Sequence, residues 1–300
     1  MMWTQPPVDY IEPLFRPPSE ARSLILQVTN GCSWNRCAFC EMYTQAQKKF
    51  KPKAEADVLA EIERCGQTLP HTRRVFLADG DAMALSYRRL KAILEAIRTH
   101  LPAVTRVTAY CLPRNVKNKT VEELAELRAL GLSMVYVGVE TGDDTLLNMI
   151  DKGETYQTTA EGLKKLQAAG IKRSVMIING LGGLHYSAQH VAATARLMNE
   201  IQPEYLASLV LFFSNGARRY ETAFAGQFKP LNTVELLLEL RELLSQLTLT
   251  KTIFRSDHAS NILPLKGVLG QDQTFLLEQL DQVLAGQRQI FLRDDSYRSL

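Results

Sequence analysis

The chain has 300 residues, of which 46% are hydrophobic and 22% charged, and its formal net charge is +3 at pH 7. That profile belongs to a globular protein able to bury a sizeable core, and it lacks the strong basic excess that marks nucleic-acid binding. No stretch approaches the roughly 20 apolar residues of a membrane span.

The first segment, Met1 to Pro18, is proline-rich, carries Asp9, Glu12 and Arg16, and has no apolar core like that of a secretory signal. It reads as an extended arm of a cytoplasmic protein. Short runs rich in Val, Leu, Ile and aromatic residues follow at 24–29, 74–77, 106–110, 134–139, 174–178 and 205–213. Such runs suit strands buried on both faces. Helical periodicity lies between them. Over 55–65 it places Val58, Ile62 and Cys65 on one apolar face. Thr120 with Glu123, and Thr158 with Glu161, have the spacing of capping boxes, and Gly131 and Gly170 follow the expected helices 121–130 and 158–169. His185 and His190 flank the start of a later helix and read as surface residues.

Repeated strand–helix units imply parallel strands with right-handed crossovers. Six units fit between residue 24 and about 248, two short of a closed eight-fold barrel. The expected fold is therefore α/β, a partial (β/α)6 TIM-like barrel over 24–248, with an N-terminal arm at 1–23. Residues 249–300 form a short C-terminal cap, with an irregular stretch at 251–271 and a helix at 272–285.

Five cysteines are an odd number, and three fall within nine residues directly after the first strand: Cys32-Ser-Trp-Asn-Arg-Cys37-Ala-Phe-Cys40. This is no disulfide framework. Three thiolates at the C-terminal end of a strand suit three irons of a [4Fe-4S] cube with the fourth iron open. Two other readings stand beside it. The C-x4-C-x2-C spacing also occurs in [2Fe-2S] ferredoxins, with Cys65 as the nearest fourth ligand, and three cysteines can hold zinc. A buried helical cysteine is ordinarily a small hydrophobe, which favours three ligands over four. A hydrolytic zinc site usually includes His or a carboxylate, and none lies in the loop.

The strand, then Asn30-Gly31-Cys32, then Phe39 just before the third cysteine resemble the radical S-adenosylmethionine (SAM) superfamily. The likeness runs from about Leu24 to Phe213, and 254–270 resembles a group of Fe–S oxidoreductases of unassigned function. One departure is the extra residue between Cys32 and Cys37, where the superfamily's commonest spacing is C-x3-C-x2-C. The resemblance implies a [4Fe-4S] cluster on Cys32, Cys37 and Cys40, with SAM bound at its open iron and cleaved to a 5′-deoxyadenosyl radical.

It also implies stations for SAM on successive strand ends. Ala78-Asp79-Gly80-Asp81 resembles the station for the cofactor's ammonium, with Gly80 permitting close approach and Asp81 accepting. Glu140 stands where the family places a polar residue on the ribose. Lys152 resembles the basic residue that neutralises the cofactor's carboxylate, although a lysine at a helix C-terminus has a plain dipole explanation. Phe39, the aromatic before the third cysteine, is a further cofactor-binding candidate, and Ile178, Asn179 and Gly180, leading into Leu181-Gly182-Gly183, resemble the apolar-and-glycine station beside adenine. This last run lacks the Lys-Ser/Thr of a P-loop.

On the substrate side the dense polar run Arg255–Asn261 makes His258 the candidate proton donor or acceptor, against the plain alternative of a solvated loop. Tyr110, Arg114 and Asn115 are candidates to face substrate or cofactor, and Trp34 and Arg36 to shield the cluster or form an interaction surface. The implied partners are a small-molecule substrate and a reductant such as flavodoxin or ferredoxin, with neither membrane nor nucleic acid.

Overall fold

A computed structural model describes residues 7–213 and 216–287. Of the expected arm and cap, residues 1–6 and 288–300 lie outside the described residues. The chain divides into two compact units. The first takes the described residues up to Asn35, Met42–Val137 and Gly162–Arg173; the second takes Arg36–Glu41, Gly138–Glu161 and the described residues from Ser174 onward.

In the first unit, β1 (Leu24–Gln27) leads to a short strand β2 (Thr29–Asn30), which pairs antiparallel with β3 (Lys51–Pro52). Helix α1 (Glu55–Thr68), β4 (Arg74–Ala78), α2 (Tyr87–His100), β5 (Arg106–Tyr110), α3 (Val121–Ala129) and the start of β6 (Leu132–Glu140) then alternate. β1 pairs with β4, β4 with β5 and β5 with β6, all parallel, in register at Leu24–Val75, Arg74–Arg106 and Thr108–Met134. After the exposed Arg74, β4 is apolar because both of its faces are covered. Val75, Phe76 and Leu77 are fully buried, as are Leu90, Ile93 and Leu94 of α2. The Thr120–Glu123 box is present: Glu123 N–H donates to Thr120 Oγ1 at 3.1 Å, and Thr120 N–H to the Glu123 carboxylate at 2.8 Å. The described part of the arm lies along β1, with Tyr10 donating its hydroxyl to the Ile25 carbonyl and Ile11 N–H donating to Gln27.

The second unit opens with the end of β6 and holds α4 (Asp144–Met149) and the start of α5 (Tyr156–Ala168). It continues through β7 (Lys172–Asn179), α6 (Gly183–Ile201), β8 (Tyr205–Val210), α7 (Arg218–Ala223), α8 (Thr233–Gln246), β9 (Ile253–Arg255), β10 (Lys266–Val268) and α9 (Gln273–Leu284). β7 and β8 are parallel, as are β8 and β9, while β10 closes antiparallel on β9.

Three expectations change here. The 251–271 segment is not irregular, since β9 and β10 add two strands beside β8. Helix α5 begins two residues early because Thr155 and Thr158 cap each other. Thr158 N–H donates to Thr155 Oγ1 at 3.1 Å, and Thr155 N–H to Thr158 Oγ1 at 2.9 Å. The last strand stops at Val210, because Leu211 and Phe213 leave the sheet to pack on an apolar cluster around Tyr220. Among the described residues no helix is long and apolar enough to cross a membrane.

Candidate active site

In the first unit, Gly31 has a left-handed φ of +68°, and a Cβ there would lie 2.0 Å from the Lys48 carbonyl oxygen, so only glycine makes the turn into Cys32. Gly80, after β4, packs on the same turn: a Cβ would come within 2.7 Å of Cys32 Cα and of the Gly31 carbonyl. Asp81 is fully buried and faces this loop. It accepts from Ser33 N–H at 2.8 Å, from the Ser33 hydroxyl, and from Asn115 Nδ2 at 3.1 Å. Burial pushes its carboxyl pKa up, while the Ser33 and Asn115 bonds and the Arg114 charge oppose that shift. Arg114 stacks its guanidinium 3.9 Å over the Trp34 ring. Tyr110 packs edge-on against Phe76 and Tyr136.

One pair here went unseen in the sequence. Lys48 and Asp79 form a fully buried ion pair at 2.5 Å, and Lys48 also donates to the Ile11 carbonyl at 2.8 Å. Asp79 had a readable signal, a carboxylate ending a strand whose burial demands a partner. Lys48 had none.

In the second unit, Ala38 N–H donates to the Ile150 carbonyl at 2.8 Å, and Ala38 packs with Leu146, Ile150, Ile178, Leu181 and Tyr220. Phe39 rests on the same cluster, with the Lys152 ammonium 5.7 Å from its ring centroid. Lys152 is 5% exposed and pairs with Glu140 at 2.7 Å. Burial alone would pull the ammonium pKa down, but the Glu140 carboxylate and Cys37 outweigh it and hold the pKa above the ordinary lysine range. Burial pushes the Cys37 thiol up to about 11, against the lowering pull of Lys152.

Arg219, on α7, was also missed. It donates to the Arg36 carbonyl at 2.8 Å and the Cys40 carbonyl at 3.3 Å, while Arg36 itself pairs with Asp151 at 2.9 Å. Gly180 N–H donates to Glu239 at 2.5 Å. His258 lies half-buried between β9 and β10. Its Nδ1 accepts from Ser260 N–H at 3.2 Å, and Ser260 Oγ in turn accepts from Val210 N–H at the end of β8. Asn261, 2% exposed, donates to the Ser208 carbonyl, so the end of the run is built into the unit, while Arg255 and Asp257 are exposed.

His190 is not a surface residue. It is 2% exposed on the inner face of α6, with Nδ1 2.8 Å from Thr141 Oγ1. Burial lowers its pKa below the ordinary 6.5, although Glu239 and Asp143 pull it back. Well above pH 6.5 neither the folded nor the unfolded ring binds a proton. Below it, the unfolded chain takes up a proton that the folded ring resists, so stability falls until the folded ring also titrates. Denaturation midpoints measured from pH 7 to 5 should fall less steeply in His190→Gln. Equal slopes would show that His190 does not govern the acid limb.

None of the five cysteines forms a disulfide. Cys32, Cys37 and Cys40 are partly exposed, whereas Cys65 and Cys111 are 0% and 2% exposed. Burial, then Glu61, pushes the Cys65 thiol up to about 11. Among the described residues no three Cys, His, Asp or Glu side chains are already gathered around one point. The fit to an iron–sulfur cluster is therefore one of donor type and accessibility: three reachable thiols in nine residues, with the buried Lys152 charge acting on Cys37.

A family model, Radical SAM superfamily, matches residues 26–198, more than half of the chain. The chain belongs to this superfamily. It is 22% identical over 160 residues to a tRNA uridine(34) acetyltransferase of Methanocaldococcus infernus, which covers 51% of this chain and 29% of that protein. A match to the heme chaperone HemW of Bacillus subtilis is 23% identical and covers 49% of this chain and 39% of that protein. The chain thus spans less than half the length of these curated relatives. Among solved structures, the Escherichia coli coproporphyrinogen III oxidase HemN, described as a radical SAM enzyme, aligns with a TM-score of 0.54 at 16% identity. That alignment covers 74% of this chain and 51% of HemN. Methylornithine synthase aligns at 0.53 and 13% identity, covering 86% of this chain and 68% of that one. The likeness establishes the expected fold, α/β with mostly parallel strands, the partial barrel of radical SAM proteins.

Proposed function

We propose that the chain is a radical SAM enzyme that abstracts hydrogen from a small-molecule substrate, with Cys32, Cys37 and Cys40 each ligating one iron of a [4Fe-4S] cluster. When bound and reduced by a donor such as flavodoxin or ferredoxin, that group supplies an open iron for SAM and the electron that splits it into methionine and a 5′-deoxyadenosyl radical.

The chain's own residues do the rest. Gly80 lets the backbone approach closely, and Asp81 accepts from the SAM ammonium while bracing Ser33. Glu140 keeps one oxygen on Lys152 and offers the other to the ribose hydroxyls, and Lys152 lends its charge to the cofactor's carboxylate. Ile178 and Gly180 flank adenine, and Phe39 keeps water from the cluster. His258 exchanges a proton with substrate through Nε2, since Nδ1 accepts from Ser260 N–H. A chain of net charge +3 has no basic footprint for a polynucleotide, which favours a small substrate although the acetyltransferase relative is named for tRNA.

One observation carries this reading. The three thiols of the motif are reachable, while both cysteines outside it are buried. Anaerobic reconstitution should load about four irons per chain. The reduced protein should release 5′-deoxyadenosine from SAM. His258→Ala should keep both the iron and this slow uncoupled cleavage. A two-iron spectrum that disappears in Cys65→Ala would hand the site to a ferredoxin-type cluster.

A further inference from the structure

Two of the turns assigned to the cofactor, at Thr141–Gly142 and at Gly180, share a buried polar backing on α6 and α8. Glu239, 4% exposed, accepts from Gly180 N–H at 2.5 Å and from the Ser187 hydroxyl. His190 meets Thr141 through Nδ1 and holds Nε2 4.0 Å from the Glu239 carboxylate. Thr194, one turn along α6, accepts from Gly142 N–H at 3.0 Å. Asn179 Nδ2 donates to the Leu236 carbonyl on α8 at 3.0 Å.

These groups are costly to bury, and packing alone would join the two helices more cheaply with apolar side chains. What the polar groups add is direction. Glu239 fixes where the Gly180 amide points, and His190 stands between Glu239 and Thr141, the residue after Glu140. The chemistry proposed above uses neither.

We propose that His190 and Glu239 are positioning residues that hold the Glu140–Gly142 and Ile178–Gly180 turns at a fixed separation, preforming the cleft for the adenosine half of SAM. The proposal rests on the assignment of those turns to SAM. Preorganised turns bind without first paying the ordering cost that loose ones carry. Gln at position 239 can still accept from Gly180 N–H, whereas Ala cannot.

The test uses reconstituted holoenzyme and two readouts, SAM affinity by anaerobic equilibrium dialysis and amide hydrogen exchange without SAM. Glu239→Ala should bind SAM about tenfold more weakly and speed exchange at Gly180 by at least about tenfold, as expected when a buried charge-assisted bond is lost. Glu239→Gln should stay within about threefold of the parent on both. Iron content and the SAM-free spectrum of the reduced cluster should not change in either. Thr141→Val, of equal volume, removes the His190 contact and should also weaken SAM binding; it decides the matter if Glu239→Ala does not fold. Parent-like SAM affinity in Glu239→Ala or Thr141→Val, or a Gln variant as impaired as the Ala variant, would overturn the proposal. A parent that binds no SAM would instead sink the assignment of function, and the exchange measurement would still decide whether Glu239 holds the turn.

Discussion

Cys40→Ala is expected to abolish both cluster loading and 5′-deoxyadenosine release, bringing each to the background of a protein without iron. Alanine supplies no donor, and two thiolates cannot replace three around a cube that needs one protein ligand on each of three irons. The loss should be chemical rather than conformational. The backbone at this position is held independently of the thiol, by Arg219 on the Cys40 carbonyl and by Ala38 N–H on Ile150. Cys65→Ala and Cys111→Ala serve as controls. Both side chains are buried, so each substitution should cost on the order of 1 kcal/mol of stability and leave the iron in place. Iron analysis after anaerobic reconstitution separates the cases. Four irons retained in Cys40→Ala would remove it from the ligand set.

Lys48→Met should destabilise the apo protein by about 3–5 kcal/mol, because it leaves the Asp79 carboxylate buried without its cation. The stem keeps its length, so little of that cost is packing. A loss of this size is a large share of the roughly 5–15 kcal/mol that holds a typical domain folded. Adding Asp79→Asn to Lys48→Met removes the stranded charge and should recover more than half of the loss. Urea denaturation of the two single variants and the double variant gives the coupling directly. A cost below about 1 kcal/mol for Lys48→Met would mean that water reaches the pair despite its burial. Gly80 packs against Cys32 immediately after Asp79, so a loosened Asp79 should also slow cluster loading.

The parts of this protein that were legible in the sequence are those whose partners lie close by in the chain. β1, β4, β5, β6 and β7 announce themselves as short runs rich in apolar residues because most of their side chains are buried. The Thr120–Glu123 cap is legible because both members sit in one turn. The cysteine loop is legible because three donors crowd into nine residues. Where a local pattern had two solutions, the choice escaped it: Thr155 with Thr158 makes as good a reciprocal cap as Thr158 with Glu161. β9 and β10 have three residues each, too few for any periodicity to show. Lys48, Arg219 and Glu239 escaped for a different reason. Each is an ordinary charged residue in its own neighbourhood and gains its role from a carbonyl, carboxylate or amide 31 to 183 residues away. His190 reads as a surface residue because, with His185, it flanks the start of a helix, and only the α6 face turned toward Thr141 explains its burial.

Arg219 also sets a schedule for biogenesis. The segment it fastens leaves the ribosome 183 residues ahead of it. At the usual pace of translation that interval is on the order of ten to forty seconds. Throughout it, the emerging thiols of Cys37 and Cys40 have no guanidinium holding the backbone between them. A nascent chain that ends before residue 219 carries the complete cysteine motif without this clasp, so the motif and its clasp are present together only in chains that extend past α7.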